Sequence, residues 1–346
     1  MTNEKLIIGM PGGSLADPNR GGNLIELLSH SGFFPQGYQA GGPTAFENAS
    51  FLLGWDGRPQ EFGSQLAIGE LDVAIAGDDW VRERQLEMSL EYKQELPLKK
   101  VLGLNRGRVR IVGIVTEESG FADPVSFLQG LSPDKKRLTL ASELPYLALD
   151  WITRRLKEAG LGGRFPAWSV QRYKTPPRID SGIVIYETWG KTEAKVRRGG
   201  ADLGVEITQS GSALKNYGLR IIDQVMESES GIWVRSGEAL SEEKQELLSL
   251  FLLNLKGSLS AENKVLLVFN LPREKRGDVE SYLRQNKLFA DEPTRSSGET
   301  YEEYSIQVNR DRADLPLPLI RWELARRGAR NIDTIPLLSS IPGLPL

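Results

Sequence analysis

The chain has 346 residues, with 43 Lys and Arg against 46 Asp and Glu for a formal net charge of −3, one histidine and no cysteine. Without Cys there is no disulfide framework, thiolate nucleophile, zinc ribbon or Cys-ligated iron–sulfur cluster. The lone imidazole, His30 in a polar Leu-Ser-His-Ser-Gly run, leaves no two-histidine metal site. A Ser/His/Asp triad would have to be built on that same residue, which reads more plainly as a surface or helix-end histidine. The charge balance gives no electrostatic footprint for nucleic acid. Whatever the chain does runs on carboxylates, arginines, backbone amides or a bound metal.

No run of 18 apolar residues exists, and Met1-Thr-Asn-Glu-Lys5 leads straight into a strand-like segment instead of a signal peptide. A soluble, cytoplasmic protein without membrane contacts is expected. At about 100 to 200 residues per domain, the length accommodates two or three domains.

In chain order, residues 6–10 are an apolar run stopped by Pro11-Gly12-Gly13-Ser14, which predicts a buried strand and a turn. A helix is expected over 23–31, with Leu24, Leu27 and Leu28 on one face. A strand near 51–53, a short helix over 59–68 and a strand over 71–76 follow. Residues 99–104 and 109–115 read as strands, and 137–142 opens a second series. That series comprises an amphipathic helix after Pro145, a strand at 183–186, a helix over 191–198 and a strand over 202–207. Gly69-Glu-Leu-Asp72 and Gly199-Gly-Ala-Asp202 each precede an apolar strand, and the repeat suggests duplicated lobes facing a cleft, with chance as the competing explanation. Beyond Ser236 the order is helix 242–256, strand 264–269, helix 273–284, strand 301–308, helix 317–327 and an apolar segment 332–338. It fits a ferredoxin-like α+β module, usually regulatory or structural.

The sharpest local feature is residues 205–214, where an apolar strand runs into the hydroxyl-rich turn Thr208-Gln209-Ser210-Gly211-Ser212-Ala213 ahead of a helix. Backbone amides gathered at such a turn suit a phosphate monoester, with the Ser210 and Ser212 hydroxyls as added donors. An ordinary Ser-capped helix is the plainer alternative. Residues 11–14 and Gly77-Asp78-Asp79-Trp80 also follow strands, and ligands in open α/β sheets bind beyond the strands' carboxyl ends. Helix capping competes for Asp78 and Asp79, and core or lobe-interface packing for Trp80 and most of the seven tryptophans. Lys195-Val-Arg-Arg198 reads as a solvated helix face.

Several segments, in order, resemble the long-form ATP phosphoribosyltransferase family of histidine biosynthesis. They are Arg58-Pro-Gln-Glu61, Gly69-Glu-Leu-Asp72-Val-Ala-Ile-Ala-Gly77-Asp-Asp79-Trp, Ala141-Ser-Glu143-Leu-Pro145-Tyr and Gly190-Lys-Thr-Glu193. Glu206 to Leu214, Asn216-Tyr-Gly218-Leu219 and Glu227-Ser228 continue the match, and Glu292-Pro293-Thr294 and Gly328-Ala-Arg-Asn-Ile332 resemble parts of that family's histidine-binding domain. Three segments depart from the pattern. The first loop reads Pro11-Gly12-Gly13-Ser14-Leu15 where the family carries Pro-Lys-Gly-Arg-Leu, the phosphate segment has Glu206 for an aspartate and Ser210 and Ala213 for two threonines, and the last domain has Asn270 where some members have Asp.

The resemblance implies two periplasmic-binding-protein-like α/β lobes around a cleft plus a C-terminal ferredoxin-like α+β regulatory domain. The expected boundaries are 1–108 with 223–238 for lobe I, 109–222 for lobe II and 239–346 for the third domain. It further implies that N1 of ATP adenine displaces pyrophosphate at C1 of phosphoribosyl pyrophosphate, assisted by Mg2+. Glu193 and Glu206 would then be catalytic, contacting ribose hydroxyls or the metal environment. Thr208, Gln209, Ser210, Gly211, Ser212 and Ala213 would hold phosphoribosyl pyrophosphate, and Gly12, Gly13, Ser14, Arg58 and Asp79 would border ATP. Asn270, Thr294 and Asn331 would belong to a regulatory site for histidine as inhibitor, in a homo-oligomer built from dimers to hexamers. The alternatives are a diverged paralogue keeping the cleft as a nucleotide- or phosphate-binding or regulatory module, and a solute-binding-like protein.

Overall fold

The computed structural model describes residues 4–12, 15–16, 22–38, 42–237, 240–289, 294–341 and 343. Strands β1 (Leu6–Pro11), β2 (Pro35–Gln36), β3 (Pro43–Phe46), β4 (Leu52–Gly57), β5 (Val73–Gly77) and β6 (Leu98–Gly103) come first in the chain. They are interleaved with α1 (Leu24–His30), α2 (Pro59–Ala67) and α3 (Asp78–Glu91). Next are β7 (Val109–Thr116), α4 (Pro124–Gln129), β8 (Arg137–Ser142), α5 (Pro145–Glu158), β9 (Trp168–Arg172) and β10 (Gly182–Glu187). They are followed by α6 (Thr192–Arg197), β11 (Leu203–Thr208), α7 (Ser212–Asn216), β12 (Leu219–Ser228) and β13 (Ser230–Arg235). The remainder is α8 (Glu242–Ala261), β14 (Lys264–Pro272), α9 (Arg276–Gln285), β15 (Thr294–Ser297), β16 (Tyr301–Asn309), α10 (Leu317–Arg326) and β17 (Arg330–Pro336).

Among the described residues these strands form three sheets, ordered β2-β3-β4-β1-β5-β13-β6, β12-β7-β11-β8-β10-β9 and β15-β16-β14-β17. In the first, β4, β1 and β5 run parallel, and β13 enters antiparallel between β5 and β6. In the second, β9, β10, β8 and β11 run parallel, and β7 is antiparallel to β11. Each lobe thus takes one antiparallel strand just after the chain has crossed from the other, the arrangement of periplasmic-binding-protein-like lobes. The core strands β1 and β5 are buried almost throughout, as parallel strands covered on both faces must be.

The repeated Gly-x-x-Asp units do the same structural work in both lobes. Gly69 (φ 79°) and Gly199 (φ 68°) turn the chain in the left-handed region that glycine enters at little cost. Asp72 then accepts the Ile7 amide of β1 at 2.9 Å and its own amide donates to the Ile7 carbonyl at 3.0 Å. Asp202 accepts the Thr139 amide of β8 at 2.9 Å, and its amide donates to the Thr139 carbonyl at 3.0 Å. A lysine completes each clasp, Lys244 on Asp72 and Lys135 on Asp202.

Two boundaries differ from expectation. The return to the first sheet comes at Glu229 rather than 223, because β12 pairs with β7 down to Ser228↔Val109. The helix at 23–31 does not stay with lobe I: one compact unit holds 1–24 and 35–245, the other 25–34 and 246–346. The reason is packing, with the Phe33 and Phe251 rings 5.3 Å apart and Ser31 bonded to Ser258 at 3.0 Å.

The third sheet is entirely antiparallel, and its β-α-β-β-α-β order is ferredoxin-like. Alternation along β14 buries Val265, Leu267, Phe269 and Leu271 against Leu283 and Ile320, and Phe269 stacks on Tyr304 at 5.3 Å. No helix among the described residues is long and apolar enough to cross a membrane.

Candidate active site

The carboxyl ends of the parallel strands converge in the first unit. Lobe I brings Gly12 after β1, Arg58 after β4 and Asp78 after β5, while lobe II brings Glu143 after β8, Trp189 after β10 and Gln209 after β11. A cleft of about 790 Å3 lies between them, lined by Arg58, Trp80 and Glu83 from one side and Glu143, Tyr146 and Trp189 from the other. A second hollow of about 550 Å3 adjoins the crossing strands and is lined by Asp78, Arg108, Arg110, Gln209 and Glu229.

The turn after β11 is built as an open bracket. Gly211 sits at φ 80°, where a side chain would be strained, and its amide donates to Thr208 Oγ1 at 3.0 Å. The Ser210 and Ser212 hydroxyls bond each other at 2.9 Å, and Ser212 N donates to Ser210 Oγ at 3.3 Å. Gln209, Ser210, Ser212 and Ala213 are exposed. Arg110, opposite Thr208 in the β7–β11 register, donates to the Gln209 carbonyl at 3.5 Å. No carboxylate among the described residues pairs with it. Periodicity marks Arg110 only as a strand residue; its place beside a turn about 100 residues later comes from the antiparallel register.

Glu206 lies within β11, half-buried, and accepts the Ile207 amide at 2.9 Å. Burial pushes its carboxyl up to about 7, and the nearby Glu193 and Glu143 charges add to the rise. Glu143 is also raised, first by burial, although the Gly190 amide and the Lys195 charge pull the other way. Glu143, Glu193 and Glu206 thus lie near enough in lobe II to feel one another's charge. Lys195 departs from the solvated-face expectation: its ammonium bonds the Gly190 carbonyl and lies 5.4 Å from the Tyr173 ring centroid.

Lobe I spends its loop residues internally. Asp79 is 4 % exposed; its Oδ1 accepts from the Ser228 hydroxyl at 2.8 Å, and its amide donates to Ser228 Oγ at 3.1 Å. Burial raises the Asp79 carboxyl. Lys100 bridges Asp78 and Glu229. Gly12 donates to the Gly57 carbonyl at 3.2 Å, whereas Gly13 and Ser14 lie outside the described residues. Arg58 is exposed at the start of α2. His30 closes α1, 3.9 Å from Glu26 one turn earlier.

The tryptophans are less uniformly internal than expected: Trp151 is fully buried, but Trp189 is 78 % exposed beside the cleft and Trp322 and Trp55 are also exposed. In the third sheet, Asn270 is on β14, Asn331 on the neighbouring β17, and Thr294 on β15 beyond β16. Glu292 and Pro293 lie outside the described residues.

Residues 58–257 match the family model described as ATP phosphoribosyltransferase. The chain is 28% identical over 277 residues to ATP phosphoribosyltransferase 1 of Geobacter sulfurreducens, covering 78% of each chain. It is 29% identical over 287 residues to the Geotalea daltonii ATP phosphoribosyltransferase, covering 82% of each. Among solved structures, the Thermotoga maritima ATP phosphoribosyl transferase complex aligns at 15% identity and TM-score 0.49, over 72% of this chain and 98% of that one. The matched span runs from Arg58 through Glu143, Glu193, Glu206 and the Gln209–Ser212 turn to α8, which is well over half of the sequence, and the chain therefore belongs to the ATP phosphoribosyltransferase family.

Proposed function

We propose that the chain catalyses the first step of histidine biosynthesis, joining N1 of ATP adenine to C1 of phosphoribosyl pyrophosphate. The N1–C1 bond forms as the C1–oxygen bond breaks, and the electron pair leaves with pyrophosphate. The observation that carries the reading is the pairing of an open Thr208–Ser212 turn with the mutually influencing acids Glu143, Glu193 and Glu206 of the same lobe, inside the family-matched span. The turn and Arg110 would hold the ribose 5-phosphate. Glu193 and Glu206 would grip ribose hydroxyls, Glu206 in either protonation state near neutrality. Positioning and electrostatic complementarity then supply most of the rate.

The cations absent from the first loop have a counterpart here: Arg108 and Arg110 line the hollow beside the turn. Each charge-assisted phosphate contact is worth about 1.5–3 kcal/mol. The 790 Å3 cleft, rich in glutamates and bearing Trp80 and Trp189, suits the base and ribose rather than the polyphosphate.

Among the described residues no three His, Asp or Glu side chains are grouped to hold a metal ion. Magnesium would accordingly arrive on substrate phosphates, as it does where it keeps most of its waters. Histidine inhibition and assembly into dimers and hexamers rest on the family resemblance. Purified protein given ATP, Mg2+ and phosphoribosyl pyrophosphate should develop the ultraviolet absorbance of an N1-substituted adenine. No product, together with no thermal stabilisation by phosphoribosyl pyrophosphate, would defeat the assignment.

A further inference from the structure

Helix α5 begins without a cap of its own. Leu144 at its N-cap position has no side-chain acceptor, and Pro145 removes one donor, so the Tyr146 and Leu147 amides need partners from elsewhere. Both find them on α3 of the other lobe. Glu83 Oε1 accepts from Tyr146 N at 2.9 Å and Oε2 accepts from Leu147 N at 2.7 Å, with Glu83 only 7 % exposed. The same face of α3 sends Leu86, Trp80 and Leu90 into the lobe II core. Its first turn is held to the crossing strands through Asp79 and Ser228.

We propose that Glu83 is a positioning residue that clasps the two lobes, fixing the Ser142–Pro145 turn and through it the cleft-lining Glu143. The chain of contacts is short. Ser142 Oγ accepts the Leu144 amide and donates to the Val205 carbonyl, one residue before Glu206. The Gly190 amide favours the charged form of Glu143, which ties that carboxyl electrostatically to the loop that carries Trp189. Movement at the start of α5 therefore displaces Glu143, the Trp189 loop and the end of β11 together.

The clasp is proton-linked by its own geometry. An ionised carboxylate accepts two amides, whereas a neutral acid accepts well through one oxygen only. Burial pushes Glu83 up to about 8, and the Glu87 and Glu187 charges add to this while the two amides oppose it. The groups facing it are Glu87 on α3, Glu187 on β10 and the Tyr146 phenol on α5. Because burial outweighs the two amides, the clasped carboxyl holds its proton more tightly than an opened, solvated one, so the clasp is tightest at low pH and loosens as pH rises through about 8.

Glu83→Gln keeps the shape but cannot ionise, and it turns an NH2, which cannot accept, toward one of the amides. In wild type, hydrogen-exchange protection of the 143–150 segment, corrected for intrinsic rate, should fall about tenfold from pH 7 to pH 9. The variant should show no such fall. Resting on the transferase reading, kcat should fall about tenfold in the variant, with both KM values within about threefold and the limb near pH 8 removed from the rate profile. Unchanged protection and an unchanged profile in Glu83→Gln would overturn the proposal. Should the variant not fold, wild-type protection that does not change between pH 7 and 9 would overturn it equally. Proton-linked protection in a wild type without transferase activity would sink the function assignment and leave the clasp standing.

Discussion

Lobes I and II repeat one device and then part company. In each, a left-handed glycine, an aspartate bonded to the first strand and a lysine on that aspartate set the start of a buried strand. Beyond the strand, lobe I enters the 14-residue α3 directly, and Asp78 and Asp79 are taken up by Lys100 and Ser228. Lobe II instead makes an exposed turn and the five-residue α7, leaving Gln209, Ser210 and Ser212 open beside Arg110. The same scaffold therefore supplies a strut on one side and an open turn on the other. On the proposed function, the duplicated lobe serves as the binding lobe by leaving its turn exposed, with the Ser210 and Ser212 hydroxyls bonded to each other.

The shared clasps give the largest expected effects. Asp72→Ala strands Lys244 beside a side chain that was 8% exposed, and equilibrium unfolding should show a loss of about 3 kcal/mol. Asp202→Ala, at 23% side-chain exposure, should lose about 2 kcal/mol. A larger loss at Asp202 would break the burial ranking on which the comparison rests.

The divergent loops come next. Gly211→Asp places a branched, charged residue at φ 80° and should weaken phosphoribosyl pyrophosphate binding at least about 100-fold, for about 1–2 kcal/mol of stability. Gly77→Ala in lobe I would push a Cβ to 2.3 Å from Asp79 Oδ1; it should destabilise the fold and leave the affinity of the folded fraction intact. If Gly77→Ala instead abolished binding while Gly211→Asp did not, the roles of the two loops would be reversed.

Arg110→Gln should raise the KM for phosphoribosyl pyrophosphate by about 10- to 100-fold without altering the melting temperature by more than a degree or two. Arg108, with a side chain 71% exposed, should matter several-fold less. Equal effects would place the phosphate further out toward the hollow's mouth.

The smallest effect is a pH dependence. Glu206 titrates at about 7 in the fold and near 4.5 in the unfolded chain, so the native state holds an extra proton between those values. Its stabilising contribution is complete below about pH 4.5 and is lost as pH rises through 7. The stability of wild type minus Glu206→Gln should therefore decline across that window and stay level above it, as read from melting curves at stepped pH. A level difference throughout would mean Glu206 is not held in a dry setting.

Much of this organisation is legible in the sequence, for reasons that vary by element. β8 lies at 137–142 as expected, because a short apolar run between polar turns leaves little choice. The Gly-x-x-Asp repeat was visible because the same backbone clasp demands the same residues twice. Helix α3 was not, since its apolar residues serve two cores: Val81 packs into lobe I while Leu86 and Leu90 pack into lobe II, so no single stripe forms. β12 is not legible in the sequence because its burial is irregular and two bulges interrupt its ladder. At the site, the Thr208–Ser212 turn is legible locally, whereas Glu193 and Glu206 stand out only through the family resemblance. Arg110 and Glu83 do neither, because strand register or lobe packing alone brings them to their partners.

The most direct test of this division of labour is hydrogen exchange of the wild-type protein with and without phosphoribosyl pyrophosphate, read at residues 206–214 and 77–81. Slowed exchange at 206–214 with little change at 77–81 is the expected result. Protection at 77–81 with none at 206–214 would contradict the assignment of the binding turn to lobe II.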